Sequence, residues 1–270
     1  MLRVGFTSWG RPDHFAFAQH RGSDVLHTGS ALVCDIVERS GACCCSDCAR
    51  CPTQARHQAW FEIHLETALH VIYDTEEARA TRVDFFYDDD QAIAAGRRKT
   101  VWASEVKHIH SEADFCSFVC ATHDTSLVRQ LQQHLAQSTK TKFYGLSGCW
   151  MSAGWDHVCV IASHPHGQPK KITVGRLTNE RELSPLHRYF IYSVDTCPGS
   201  SGARGAVIEL SKGKRSSRFS MRLLPPHSSR LGSREINVSS ASVAGYAQPE
   251  IAGLLENIRF NPMWLNSAIW

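Results

Sequence analysis

The sequence predicts an all-β protein, a barrel or a sandwich. Three observations carry this: short runs rich in β-branched and aromatic residues recur along the chain, turn-forming clusters separate them, and only two segments carry helical spacing. The runs are Ala31 to Val37, Trp60 to Leu65, Arg82 to Tyr87, Phe115 to Cys120, Val158 to Ala162, Lys171 to Leu177, Tyr189 to Val194 and Ala206 to Leu210. The separators include His164-Pro165-His166-Gly167 and Cys197-Pro198-Gly199-Ser200, in which proline fixes one backbone torsion and glycine frees the next. With 270 residues, 43% of them hydrophobic, the chain can fill one large core or two small ones.

The first helix runs from Ser126 to Gln137, where Leu127, Val128, Leu131 and Leu135 line one face after a cap-like Asp124-Thr125-Ser126, so it can link two halves. The second follows Pro249-Glu250, with Ile251, Leu254, Leu255 and Ile258 at helical intervals, and predicts a C-terminal helix with one buried stripe. Between Ser211 and Arg234 stand seven basic residues and seven serines without an acid. That run reads as a solvated loop, with phosphate or acidic-partner contact as the alternative.

A formal net charge of +3 leaves no imbalance of the kind that a dedicated nucleic-acid or membrane-surface binder carries. The interleaving of aromatic and basic residues used by RNA-binding sheets is absent as well, so neither nucleic acid nor membrane is an expected partner. No apolar run of signal-peptide length opens the chain, and no stretch of about 18 apolar residues occurs in it. The expectation is an intracellular protein, cytoplasmic or nuclear, without a transmembrane segment. Eleven cysteines, an odd number, with five of them crowded at Cys43, Cys44, Cys45, Cys48 and Cys51, fit a reducing compartment better than a spread disulfide framework. Cys43, Cys45, Cys48 and Cys51, with His57 nearby, bring thiolates and an imidazole close enough for a structural zinc; reduced thiols in a loop are the competing reading. Cys34, Cys116, Cys120, Cys149 and Cys159 lie in apolar runs and read as small buried hydrophobes.

Three segments hold residues suited to chemistry. In Asp195-Thr196-Cys197-Pro198-Gly199-Ser200-Ser201-Gly202, a serine on a glycine-flanked turn can expose its hydroxyl while the N–H groups of Gly199 and Ser201 point to a common spot, an oxyanion hole. Alone, the same residues make an ordinary turn. In Thr67-Ala68-Leu69-His70 a histidine ends a strand-like run, which is useful if a carboxylate holds its imidazole in one tautomer. Asp114 heads the apolar run from Phe115 and can be that carboxylate, or simply a turn residue.

Taken together, the three resemble the trypsin-like, chymotrypsin-fold serine peptidases, in flavour closest to the intracellular trypsin-like and glutamyl-endopeptidase-like branches. Thr67-Ala68-Leu69-His70 resembles the family's Thr-Ala-x-His, Asp114 with its apolar strand resembles the family's aspartate, and Gly199-Ser200-Ser201-Gly202 resembles Gly-x-Ser-Gly, in the family's chain order. His164-Pro165-His166-Gly167 and Tyr192-Ser193-Val194-Asp195-Thr196 resemble further parts of the second barrel in those branches.

The resemblance implies two packed six-stranded antiparallel β-barrels with the active site between them and a C-terminal helix. On that plan residues 1–30 are an N-terminal extension, 31–136 the first barrel with the Cys-rich loop and linking helix, 137–248 the second barrel with the basic Ser-rich loop, and 249–270 the C-terminal helix and tail. It further implies a serine endopeptidase with His70, Asp114 and Ser201 as catalytic triad, a protein or peptide as substrate, and no cofactor for catalysis. Asp195 stands where trypsin-like enzymes carry the acid that binds a basic side chain, whereas Thr196 and His227 stand where glutamyl endopeptidases grip an acidic one. Departures are present too. Ser200 replaces the acid that receives a freed N-terminal amine and no Ile-Val-Gly-Gly start occurs, so activation by N-terminal cleavage is not expected; Leu69 replaces a small residue, and Arg204 follows the nucleophile turn. These departures keep open an alternative from another class, a weak or inactive protease-like scaffold that binds proteins.

Overall fold

The computed structural model describes residues 1–41, 43, 59–140, 156–184, 187–212, 217–230 and 237–239. The first half comprises β1 (Leu2–Val4), β2 (His27–Gly29), β3 (Leu32–Arg39), β4 (Trp60–Ala68), α1 (Thr75–Arg79), β5 (Thr81–Phe85), α2 (Gln91–Ala94), β6 (Lys99–His110), β7 (Phe115–Thr122) and α3 (Thr125–Lys140). The second comprises β8 (Asp156–Ser163), β9 (Lys171–Ser184), β10 (His187–Tyr192), β11 (Arg204–Lys212), β12 (Ser217–Arg230) and β13 (Asn237–Ser239). Among the described residues no helix is long and apolar enough to cross a membrane.

The second half closes into a six-stranded barrel in the order β10-β13-β12-β11-β8-β9. The first half pairs as a seven-stranded sheet, β2-β1-β5-β6-β7-β4-β3, instead of the six strands expected of a barrel. Two of the seven come from residues 1–30. Leu2 and Val4 are too short a run to announce a strand; their pairing with Val83 and Thr81, far along the chain, makes them one. The basic stretch that read as a loop likewise holds a strand, since Phe219, Met221 and Leu223 alternate with Arg218, Ser220 and Arg222 at the two-residue period of a sheet, and β12 pairs along β11 from Ser217 to Pro226. The helix expected over 249–270 lies outside the described residues.

Each half has its own core. Leu2, Val4, Ile63, Leu65, Val83 and Phe118 pack with Leu127 and Leu131 of α3 in the first; Ile161, Leu177, Phe190, Tyr192, Val207 and Leu224 fill the barrel. Helix α3 begins where expected because Asp124 Oδ1 accepts from the N–H groups of both Ser126 and Leu127 at 2.9 Å, satisfying donors that the first turn leaves free. Of the apolar-run cysteines, Cys116, Cys120 and Cys159 are buried, whereas Cys34 is exposed because it lies on the edge strand β3.

One buried ion pair braces the turn after β4. Arg11 Nε and Nη2 donate to the two oxygens of Glu77 at 2.6 and 2.7 Å, and both side chains are wholly shielded from water. The same carboxylate accepts from the N–H groups of Ser8 and Tyr73, so all the donors around it are used. Removing one partner of such a pair strands a charge in the interior. Arg11→Met is expected to lower the unfolding free energy by about 3–5 kcal/mol in urea titration, and Arg11→Met with Glu77→Gln to cost less than the two single changes added together.

Candidate active site

Strand register places the first two groups. β4 and β7 pair antiparallel with Ala68 opposite Phe115, so the residues just beyond these ends meet next, and the Leu69 N–H donates to the Asp114 carbonyl at 3.0 Å. Asp114 takes a left-handed backbone with φ of 48°, a conformation that aspartate tolerates better than most residues. Its carboxylate turns back over the strand end: Oδ1 accepts from the His70 N–H at 2.9 Å, and Oδ2 lies 2.6 Å from His70 Nδ1. Asp114 is fully buried and His70 is 6% exposed, so the pair sits in a low-dielectric wall with the Nδ1 edge of the imidazole turned to the carboxylate. Behind it, Arg11 Nη1 donates to the His70 carbonyl at 3.0 Å, tying the histidine backbone to the Arg11–Glu77 brace.

Ser201 arrives from the barrel. Gly199 and Gly202 both take positive φ, 95° and 83°, so the turn around Ser201 is one that side-chain-bearing residues resist. Close packing demands glycine as well. A Cβ on Gly202 would stand 2.1 Å from Thr67 Oγ1 and 2.2 Å from the Ser30 carbonyl oxygen, so Gly202 lies directly on the strand end that carries His70. A Cβ on Gly199 would stand 2.5 Å from the His164 carbonyl oxygen. The Pro198 carbonyl accepts from the His166 N–H at 2.5 Å; since a trans peptide points C=O and N–H in opposite directions, the Gly199 N–H is turned away from that contact. Among the described residues, the N–H groups of Gly199 and Ser201 meet no acceptor. Ser200, in place of an acid, is buried and shares a 3.0 Å hydrogen bond with the Ser163 hydroxyl. Ser201 itself is half-buried, and its Oγ donates to the Ser228 carbonyl at 3.4 Å.

Ser30, which no local pattern marks, joins the two halves. Its N–H donates to the Ser201 carbonyl at 2.8 Å and its hydroxyl to the Gly199 carbonyl at 2.9 Å, while that hydroxyl accepts from the His164 N–H and its carbonyl accepts from Thr67 Oγ1. Arg204 adds a charged link, its Nη2 lying 2.7 Å from the Glu66 carboxylate of β4.

The three residues expected to read the substrate differ in their surroundings. Asp195 is exposed. Thr196 donates its hydroxyl to Asn237 Oδ1 at 2.6 Å, and Asn237 in turn donates to the Val194 carbonyl. His227 is buried, with Nδ1 2.7 Å from the Tyr192 hydroxyl, which also contacts Ser239 Oγ at 2.8 Å. Burial, and then the nearby His70, push the His227 imidazole down to about 3. Of the cysteine cluster only Cys43 is described, near Trp60 and Ala121; Cys45, Cys48 and Cys51 lie outside the described residues, and among the described residues no group of three or more His, Cys, Asp or Glu could hold a metal.

A histidine kept neutral in the fold but titrating near its ordinary value when unfolded contributes stability above pH about 6.5, lost progressively as pH falls toward 3. Unfolding free energy should therefore decline on acidification through pH 6 to 4, and His227→Gln should reduce that slope by up to about 1.4 kcal/mol per pH unit. Chemical denaturation at a series of pH values reads this directly.

No protein-family model and no curated protein matches the chain in sequence. Solved structures do. The Rv3671c protease from M. tuberculosis in its active form is 15% identical over 86% of this chain and 82% of that one, with a TM-score of 0.38. The HtrA-type protease AlgW, solved with a decapeptide, is 12% identical over 95% of this chain and 63% of that one, with a TM-score of 0.43. The structure of Deg5 is 14% identical over 53% of this chain and 62% of that one, with a TM-score of 0.33. Two of these three similar structures, Rv3671c and the HtrA-type AlgW, are proteases.

Proposed function

We propose that this chain is a serine endopeptidase in which Ser201 attacks the peptide carbonyl, His70 takes the proton and returns it to the leaving amine, and Asp114 holds His70 in place. The observation that carries the reading is the His70–Asp114 clamp: one buried carboxylate engages both the main-chain N–H and the Nδ1 edge of the same histidine, at 2.9 and 2.6 Å. That double grip sets ring orientation and tautomer together and leaves Nε2 as the basic nitrogen. An imidazolium formed there is stabilised by the fixed negative charge behind it. The Gly199 and Ser201 N–H groups then serve as donors to the oxyanion, and the acyl-enzyme formed on Ser201 is released by water that His70 activates in the reverse sense. In this reading the seven-stranded sheet and the closed barrel are the two halves of a double-barrel protease, with the catalytic groups at their junction.

The same proposal assigns the chain a preference for cleavage after a basic side chain. Thr196 spends its hydroxyl proton on Asn237, and the His227 ring is neutral and engaged by Tyr192, which leaves little to hold a carboxylate. Asp195, six residues before Ser201, is exposed and can pair with a lysine or arginine.

Labelling with a fluorophosphonate probe tests the chemistry: adduct on the native chain and none on folded Ser201→Ala or His70→Ala is expected, and a folded native chain that stays unlabelled favours the binding scaffold. Asp114→Asn should lower kcat by about 10⁴-fold. A peptide library varied at the residue before the cut should show lysine and arginine preferred, and Asp195→Ser should remove that preference.

A further inference from the structure

A cavity of about 580 Å³ opens at the first sheet, lined by residues of β1, β5, β6 and the end of β7 and by the start of α3. Four cations line it: Arg3 of β1, Arg82 of β5, and Arg98 and Lys99 at the start of β6. Arg3 and Arg82 stand directly opposite one another across paired strands, an arrangement that like charges disfavour. Arg3 is relieved by Asp84, 2.8 Å away, though its Nε is buried without an acceptor. Arg82 lies 4.8 Å over the Trp102 ring and Arg98 5.5 Å over the Tyr87 ring, contacts that leave their charge uncancelled. Among the described residues none of Arg82, Arg98 and Lys99 has a carboxylate partner. Among the described residues that line the cavity the acid is Asp124, whose Oδ1 already caps α3.

The cavity is remote from the candidate active site. β7 leads away from Asp114, and Thr122 at its other end lines the cavity. Its eight residues at about 3.3 Å each put roughly 26 Å between them.

We propose that this cavity binds a small, multiply phosphorylated anion. Several uncompensated cations around one concavity call for several negative charges in a compact ligand, and guanidinium forks match phosphate oxygens two at a time. Because Arg82 already covers the Trp102 ring, recognition falls on the phosphate groups and not on a stacked base.

The test uses the full chain and inorganic tripolyphosphate in isothermal titration calorimetry at low and at 0.5 M-scale salt, beside orthophosphate and a mixed-sequence single-stranded DNA. Saturable one-site binding is expected, tighter for tripolyphosphate than for orthophosphate, weakened by salt and weakened at least about tenfold by Arg82→Gln with Lys99→Gln, the size of one lost charge-assisted hydrogen bond. Lys99→Gln alone, at a strand end, supplies the measurement should the double variant melt early. Ser201→Ala should bind as the native chain does, which separates this result from the fate of the protease reading. No saturable binding, binding indifferent to these substitutions, or a preference for the DNA overturns the proposal.

Discussion

With Ala68 set opposite Phe115, the residues that leave β4 and the residue that precedes β7 become neighbours, and a histidine and an aspartate 44 positions apart are brought within hydrogen-bond reach. Shifting that pairing by a single residue would send the side chains of one strand to the wrong face and separate the two groups. The other features of this region serve the same register. Left-handed Asp114 turns its carboxylate over the strand end, and the Arg11–Glu77 pair anchors the His70 carbonyl from behind. A long-range pairing thus does the positioning, while local geometry only finishes it.

The junction between the halves is built on closeness. Gly202 rests on Thr67 and Ser30 with no room for one carbon more, Gly199 rests on the His164 carbonyl, and Ser30 exchanges hydrogen bonds with Gly199, Ser201, His164 and Thr67. Such contacts are short main-chain and hydroxyl bonds, stiffer than the long charged side chains that join many surfaces, although Arg204 with Glu66 and Lys170 with Asp88 add charged links between the halves. A site that must keep two groups aligned to a fraction of an ångström gains from that stiffness.

Much of this was readable in the residues, and the reason it was readable is chemical. His70, Asp114 and Ser201 lie in short local motifs, because an exposed hydroxyl on a tight turn needs glycine beside it and a strand end leaves a recognisable apolar run. The all-β character and the start of α3 were readable for the same reason. Arg11, Glu77 and Ser30 were not, since each acts on main-chain groups or on partners far along the chain, and nothing in Trp9-Gly10-Arg11-Pro12 or Gly29-Ser30-Ala31 distinguishes a buried brace from a surface loop. β12 was hidden by its own charge: the arginines and serines interspersed with Phe219, Met221 and Leu223 obscured the apolar alternation in the sequence. β1 was too short to see without the strand that it pairs with.

The contact between Ser200 and Ser163 has a wider bearing. It fastens the loop under Ser201 through two uncharged hydroxyls, sealed from solvent, where a carboxylate would have needed a counter-charge. Neither electrolyte nor mild acid has anything to neutralise at such a fastening. The barrel's own hold on this loop therefore works without an ionic latch, and the first half adds to it through Ser30, again with uncharged groups.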